Sequence, residues 1–146
     1  MNKAACFTDI HWGRKNNSEQ HNQDCLNYVK WFCEQVKQDG DNDHIIFMWY
    51  WFEHRAAINS LTLEYAYRGA CMISDLELPV YFIVGNHDLY YRTTRDIAST
   101  NFFEGLGFTL IKDEPVLFEE LGPNGSVLCP FLFEKEYPSL IKYAQT

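Results

Sequence analysis

Residues 85 to 88 read Gly-Asn-His-Asp and follow directly on the apolar, β-prone run Val80-Tyr-Phe-Ile-Val84. Such a run predicts a buried strand, and its abrupt end delivers Asn86, His87 and Asp88 to a sheet edge. His87 could there protonate a leaving oxygen, with Asp88 orienting the imidazole and stabilising its charge. Asn86 adds a neutral amide oxygen, a weak hard ligand. A second pair, Asp9 and His11, stands at the end of the stretch Ala4-Ala-Cys-Phe-Thr8. If extended geometry persists that far, the two side chains face the same way. A carboxylate beside an imidazole suits a first-row divalent metal such as Mn, Fe or Zn. Singly, an Asp-x-His is common by chance, and Asn-His-Asp after a strand is more often a turn than a site. Their placement on adjacent predicted strand ends is what joins them.

The elements that must position these residues alternate. A strand over residues 4 to 8 leads into a polar loop, Asp9 to Lys15, and then a helix approach over residues 16 to 21. A helix from about Asn22 to Gln38 follows, because Cys25, Tyr28, Val29, Phe32, Cys33 and Val36 recur at three- and four-residue steps. Gly40 and the neighbouring Asp and Asn residues end it. His44 to Met48 is a second strand, and Trp49-Tyr-Trp-Phe52 continues its apolar character. Asn59-Ser60 caps a second helix, Leu61 to Asp75, and Pro79 precedes the third strand, 80 to 84. Strand-helix-strand-helix-strand implies right-handed crossovers and a mainly parallel α/β sheet. Ligands of such sheets sit beyond the carboxyl ends of the strands, where Asp9, His11, the segment after Met48 and residues 86 to 88 all fall. Further on, a loop with a short helix is expected over residues 92 to 105. Residues 108 to 111, 116 to 118 and 126 to 129 read as short strands. Gly122-Pro-Asn-Gly125 turns the last two into a hairpin, and a helix interrupted by Pro138 spans Glu134 to Ala144.

Composition bounds the rest. A chain of 146 residues with 47% apolar and 16% aromatic side chains forms one globular domain with a real core. No apolar run approaches the ~20 residues of a membrane span, and the N-terminus lacks the apolar stretch of a signal peptide. Five cysteines, without a CxxC spacing, read as free thiols of a reducing cytoplasm. A net charge of −8 argues against an autonomous, nonspecific nucleic-acid binder, though not against an enzyme that touches phosphates locally. Arg14, Lys15, Arg55, Arg92 and Arg95 all fall just after predicted strands; alone, they are ordinary solvated loop residues.

Asp9-Ile-His11 and Gly85-Asn-His-Asp88 resemble the first and third signatures of the calcineurin-like metallophosphoesterases, which read D-x-H, then G-D, then G-N-H-D/E. The chain is similar, over essentially all 146 residues, to the SbcD-type DNA-repair nucleases. Within that group it resembles the nuclease subunit of tailed-phage recombination endonuclease complexes. Phe7-Thr-Asp-Ile-His-Trp-Gly-Arg14, Trp51-Phe-Glu-His-Arg55 and Gly85-Asn-His-Asp-Leu-Tyr90 carry this likeness. The resemblance implies an αββα sandwich, here incomplete at its C-terminal side. It implies Asp9 and His11 as ligands of a first metal and Asn86 as a ligand of a second. His87 would be the acid that contacts the scissile phosphate, supported by Asp88. Two divalent ions ~3.5–4 Å apart would hold a hydroxide for in-line attack; manganese is the first expectation, with iron, zinc or magnesium as alternatives. Arg14, Lys15, Arg92 and Arg95 would neutralise DNA phosphates. The implied partners are DNA and an SbcC-type ATPase subunit, a homodimer is left open, and no membrane is involved. The implied location is the cytoplasm, that of the infected bacterial host if the chain is of phage origin.

Two departures bear on activity. The Gly-Asp signature should fall at positions 49 and 50, which are Trp49 and Tyr50. The family's Asp bridges both metals, and a neutral Tyr is a poor bridge. A pair of compensating single-base shifts turns the codons GGT-GAT into TGG-TAT, a route that resequencing tests. The later G-H and G-H-x-H segments are also absent, so residues 1–146 are expected to be the N-terminal portion of a longer metallophosphoesterase domain, or a degenerate relative. Impaired hydrolysis is therefore expected of this chain. Competing readings are a non-catalytic, partner-binding remnant and a small-substrate phosphatase or cyclic-nucleotide phosphodiesterase. Among the remaining features, Trp49 to Phe52 reads as core in preference to a stacking surface for single strands. His21, His44 and His54 are expected in surface or capping roles.

Overall fold

The structure is a computed structural model that describes residues 3–54, 57–88 and 101–144, apart from the side chains of His87, Asn101 and Phe102. Its centre is a four-stranded sheet in the order β1-β2-β3-β4, made of Ala4–Thr8, His44–Met48, Val80–Ile83 and Thr109–Ile111. Each neighbouring pair is parallel, with Phe7 opposite Phe47, Phe47 opposite Phe82, and Phe82 opposite Leu110. The predicted α/β class and parallel alternation are therefore what the chain forms. Helix α1 (Glu19–Asp39) joins β1 to β2, and α2 (Ser60–Ser74) joins β2 to β3.

One face of the sheet carries Phe7, Ile45, Phe47, Val80 and Phe82 into a cluster with Val29, Phe32, Cys33 and Val36 of α1 and Ala66, Ala70 and Ile73 of α2. Helix α2 makes room for the loop after β1 with a glycine: a Cβ on Gly69 would meet the Trp12 ring at 2.8 Å. On the opposite face Tyr81, Ile83 and Ile111 pack against Leu121 and Leu128, with Val116 and Phe118 beside them. Those residues belong to or flank an antiparallel hairpin of β5 (Val116–Phe118) and β6 (Ser126–Leu128). Its turn needs glycine at both ends, with φ of 89° at Gly122 and 75° at Gly125. The hairpin covers the β3–β4 side, so β3 is buried along its whole length, whereas Cys6, Thr8 and Met48 remain exposed.

Several boundaries differ from the sequence reading. Helix α1 starts at Glu19, not Asn22, because the Ser18 hydroxyl accepts the His21 N–H at 3.3 Å and so caps the earlier turn. Arg14–Asn17, expected as a loop and helix approach, is a tight turn with φ of 55°, 58° and 58° at Lys15, Asn16 and Asn17. The Asn59 cap is as read, its side chain accepting from Thr62 N at 2.8 Å. Trp49 to Phe52 does not prolong β2: Trp49 and Tyr50 turn the chain out of the sheet with φ of 62° and 63°. Pro138 does not interrupt the terminal helix but begins it, as α3 (Pro138–Ala144) after a 3-10 turn at Glu134–Glu136. Proline's missing N–H costs nothing at a first helical position. Of the loop and short helix expected over residues 92 to 105, a 3-10 segment Asn101–Leu106 is observed, and residues 92 to 100 lie outside the described residues. Among the described residues no helix is long and apolar enough to cross a membrane.

Candidate metal centre

The carboxyl ends of β1, β2 and β3 are joined laterally by backbone hydrogen bonds that outlast the strands. Asp9 N–H donates to Trp49 O at 3.2 Å, and Trp49 N–H donates to Ile83 O at 3.0 Å. Then His11 N–H reaches Tyr50 O at 3.0 Å, Trp12 N–H reaches Trp51 O at 2.9 Å, and Glu53 N–H reaches Trp12 O at 3.0 Å. The two exit loops thus run side by side from residue 9 to 12 and from 49 to 53. Ile10, Trp12, Trp51 and Phe52 point inward and are buried.

Asp9 and His11 do not stay extended. Their φ angles are 59° and 53°, so the expected strand geometry is overturned. A non-glycine residue in this left-handed region costs about 1–2 kcal/mol. The pair nevertheless meets, by alternation with the inward Ile10: His11 Nε2 lies 3.4 Å from Asp9 Oδ1. Thr8 Oγ1 donates to the other Asp9 oxygen at 2.6 Å. The second imidazole nitrogen, Nδ1, lies 2.6 Å from Glu53 Oε2. A carboxylate on the far nitrogen is the usual means of fixing the orientation of a ligating histidine. From sequence alone Glu53 has no role of its own; its place in Trp51-Phe-Glu-His-Arg55 is the one available signal.

Asn86 and Asp88 lie in a 3-10 turn, Asn86–Asp88, immediately beyond β3. Asn86 is half-buried. Asp88 is wholly buried. Its Oδ2 accepts the Gly85 N–H at 3.0 Å, and its Oδ1 accepts Trp51 N–H at 3.2 Å and, more weakly, Phe52 N–H at 3.5 Å. Burial pushes its pKa up to about 6, against the pull of these backbone N–H groups. The carboxylate therefore ties the β2 exit loop to the β3 exit loop, a structural task that sequence did not reveal. The His87 side chain, which sequence assigns as acid, lies outside the described residues, as do Arg92, Arg95 and Arg55. Arg14 and Lys15 are exposed on the tight turn that follows Gly13.

Position 50, where a bridging carboxylate is expected, holds an aromatic ring. Tyr50 stacks on the His11 imidazole with centroids 5.1 Å apart and planes 15° from parallel. Trp49 sits against Gly85, where a Cβ would meet Trp49 Cβ at 2.9 Å. Glycine at 85 is what lets the two loops approach. Among the described residues no three His, Cys, Asp or Glu side chains converge as a metal-binding group. A single imidazole, His11, stands between the carboxylates of Asp9 and Glu53, and the described residues do not fit a dinuclear centre.

The expected surface roles of two histidines are also revised. His44 is buried, its ring edge-on to Tyr81 at 5.9 Å. His21 Nε2 lies 3.0 Å from His11 O and 3.3 Å from Cys25 Sγ, and so braces the first exit loop from α1.

A parallel sheet whose first and third strands release D-x-H and G-N-H-D at one edge has the architecture of a phosphoester-hydrolysing domain. The family model for calcineurin-like phosphoesterases matches residues 3–138, and the chain belongs to that family. No curated protein matches it. The family is one of hydrolases acting on phosphoesters, and its members usually bind two divalent metals.

Proposed function

We propose that the chain is a nuclease-type metallophosphoesterase module directed at DNA phosphodiesters in recombination and repair, with its own hydrolytic centre impaired. The observation that carries this reading is the carboxyl edge of the sheet. Asp9 and His11 are held in contact there, while Tyr50 covers the imidazole at the position of the family's bridging carboxylate. Exposed Arg14 and Lys15 follow directly on that loop and can meet DNA phosphates despite the net charge of −8. An SbcC-type ATPase subunit is the partner that the likeness implies, and manganese the metal.

The test compares this chain with a Trp49→Gly/Tyr50→Asp double variant. Manganese binding is measured by calorimetry, and turnover on a chromogenic phosphodiester and on linear DNA. The expected result is weak binding and negligible turnover in the natural chain, with tighter binding in the double variant. Turnover by the unmodified chain equal to that of the variant would sink the impairment. Absence of metal binding in both would favour the non-catalytic, partner-binding reading, which the Tyr50–His11 stack already supports. Hydrolysis of a phosphomonoester or cyclic nucleotide in preference to DNA would favour the small-substrate reading, with which the acidic charge agrees.

A further inference from the structure

A pocket of about 390 Å³ opens at the same sheet edge, lined by Thr8, Asp9, Met48, Trp49, Ile83 and Cys129. Its lining is mostly apolar, with Thr8 and Asp9 as the residues that carry polar oxygens, and the Asp9 side chain is 51% exposed. Trp49 is 42% exposed and Met48 37%. The indole is nonetheless firmly seated. Its backbone N–H and C=O are both bonded, to Ile83 and Asp9, its Cβ rests in the space left by Gly85, and its ring meets the Tyr50 ring edge-on at 6.4 Å. A large aromatic is thus held in a strained left-handed conformation, fixed on several sides and left partly bare. It is the arrangement of a stacking platform.

We infer that this pocket binds a neutral nucleobase bearing an exocyclic amine, stacked on Trp49 with the amine donating to Asp9. Three features choose that chemistry. The apolar walls favour a planar aromatic face, and every base offers one. The carboxylate accepts but cannot donate, so it rewards an N–H donor such as the adenine or cytosine amine. It repels an anion. The volume accommodates a single base. Within the segment Trp49 to Phe52, Trp51 and Phe52 are buried and Tyr50 is stacked on His11, which leaves Trp49 for this. The inference needs neither metal nor hydrolysis and goes beyond the proposed activity.

The experiment is done in chelator, so that failure of the hydrolytic reading leaves it untouched. Adenosine and purine riboside, which differ only in the exocyclic amine, are titrated against the chain by calorimetry, and single-stranded oligo-dA likewise. Adenosine should bind at least about 10-fold tighter than purine riboside, the lower bound set by one lost hydrogen bond to a charged acceptor. Trp49→Ala should weaken adenosine by about 5-fold or more, the worth of one stacked base, while Trp49→Phe retains most of the affinity. Tighter binding of oligo-dA than adenosine identifies the ligand as a base within a strand; the reverse identifies a free nucleoside. Circular dichroism verifies that each variant is folded. Equal affinity for adenosine and purine riboside, unaltered binding by folded Trp49→Ala, or no binding at millimolar ligand each overturns the inference.

Discussion

Replacing Asn22 by alanine removes the one side chain that fastens the Gly13 turn to both helices. Asn22 is fully buried on α1. Its carbonyl accepts the Gly13 N–H at 2.9 Å, and its amide donates to Thr62 Oγ1 on α2 at 2.9 Å. Thr62 in turn donates to Asn17 Oδ1 at 3.0 Å, closing the network on the far side of the turn. Alanine strands the buried Gly13 N–H, at a cost of ~1–3 kcal/mol, and forfeits the bond to Thr62, worth ~1 kcal/mol. The hydroxyl of Thr62 keeps Asn17, so the second loss is partial. The expected destabilisation is about 2–4 kcal/mol, read as a lower urea midpoint at unchanged slope. Asn22→Leu fills the space without restoring the acceptor and should be no better than alanine. A cycle with Thr62→Val should show a coupling of ~1 kcal/mol, because the two residues share one network. An Asn22→Ala cost below about 1 kcal/mol, or strictly additive single variants, would refute the reading that this network fastens the Gly13 turn.

Three other outcomes follow from the same geometry. Asp88→Ala should speed hydrogen exchange at the Trp51 and Gly85 amides by about tenfold or more, since each loses a buried acceptor; unchanged exchange would show that the loops are joined by other means. Gly85→Ala should cost about 1–3 kcal/mol through its 2.9 Å approach to Trp49 Cβ, and much less in a Trp49→Gly background, with urea melts of the four proteins reading the coupling. The last concerns alkali: burial pushes the Cys25 thiol up to about 12 and the Cys33 thiol up to about 11. Unfolded thiols ionise near 9.0, so the unfolded state loses protons first and stability falls as pH rises from there toward the folded values. The loss is ~1.4 kcal/mol per thiol and pH unit. A Cys25→Ala/Cys33→Ala protein should lose this slope between pH 9 and 11, as melts across that range would show.

The strands and helices were legible where apolar runs ended in strong punctuation. Gly85 closes β3, Asn59 caps α2, and Gly122 with Gly125 sets the hairpin; each acts through its own local chemistry. The edge that holds the site was less legible, because there the decisive partners are backbone groups. Nothing in a string of letters tells that Asp88 accepts N–H groups from residues 51, 52 and 85. Glu53 and Asn22 act across gaps of 42 and 40 positions, toward His11 and Thr62 respectively. The first pair meets once the parallel sheet has aligned the exit loops, the second once α1 and α2 pack side by side. Trp49-Tyr-Trp-Phe52 was legible only in part: the strand ends at Met48, and Trp51 and Phe52 enter the core as read, but nothing in four successive aromatics announces the left-handed turn at Trp49 and Tyr50.

The backbone at those two positions bears on how the site came to be incomplete. Left-handed φ is cheap for glycine, and Asp adopts it more readily than most residues. Gly-Asp is the pair that the family signature places here, whereas a Trp and a Tyr occupy the same conformation at φ of 62° and 63°. The loop path is therefore set by the lateral bonds to Asp9, His11 and Ile83 and by the gap at Gly85, not by the side chains at 49 and 50. It follows that exchanging those side chains needs no new backbone. Tyr50→Asp should set a carboxylate where the phenol ring now covers His11, and Trp49→Gly should open the pocket while relieving strain. Metal binding and base binding are thus expected to move in opposite directions in the double variant. Finding both raised, or both lost in a folded protein, would break the link between the two readings of this edge.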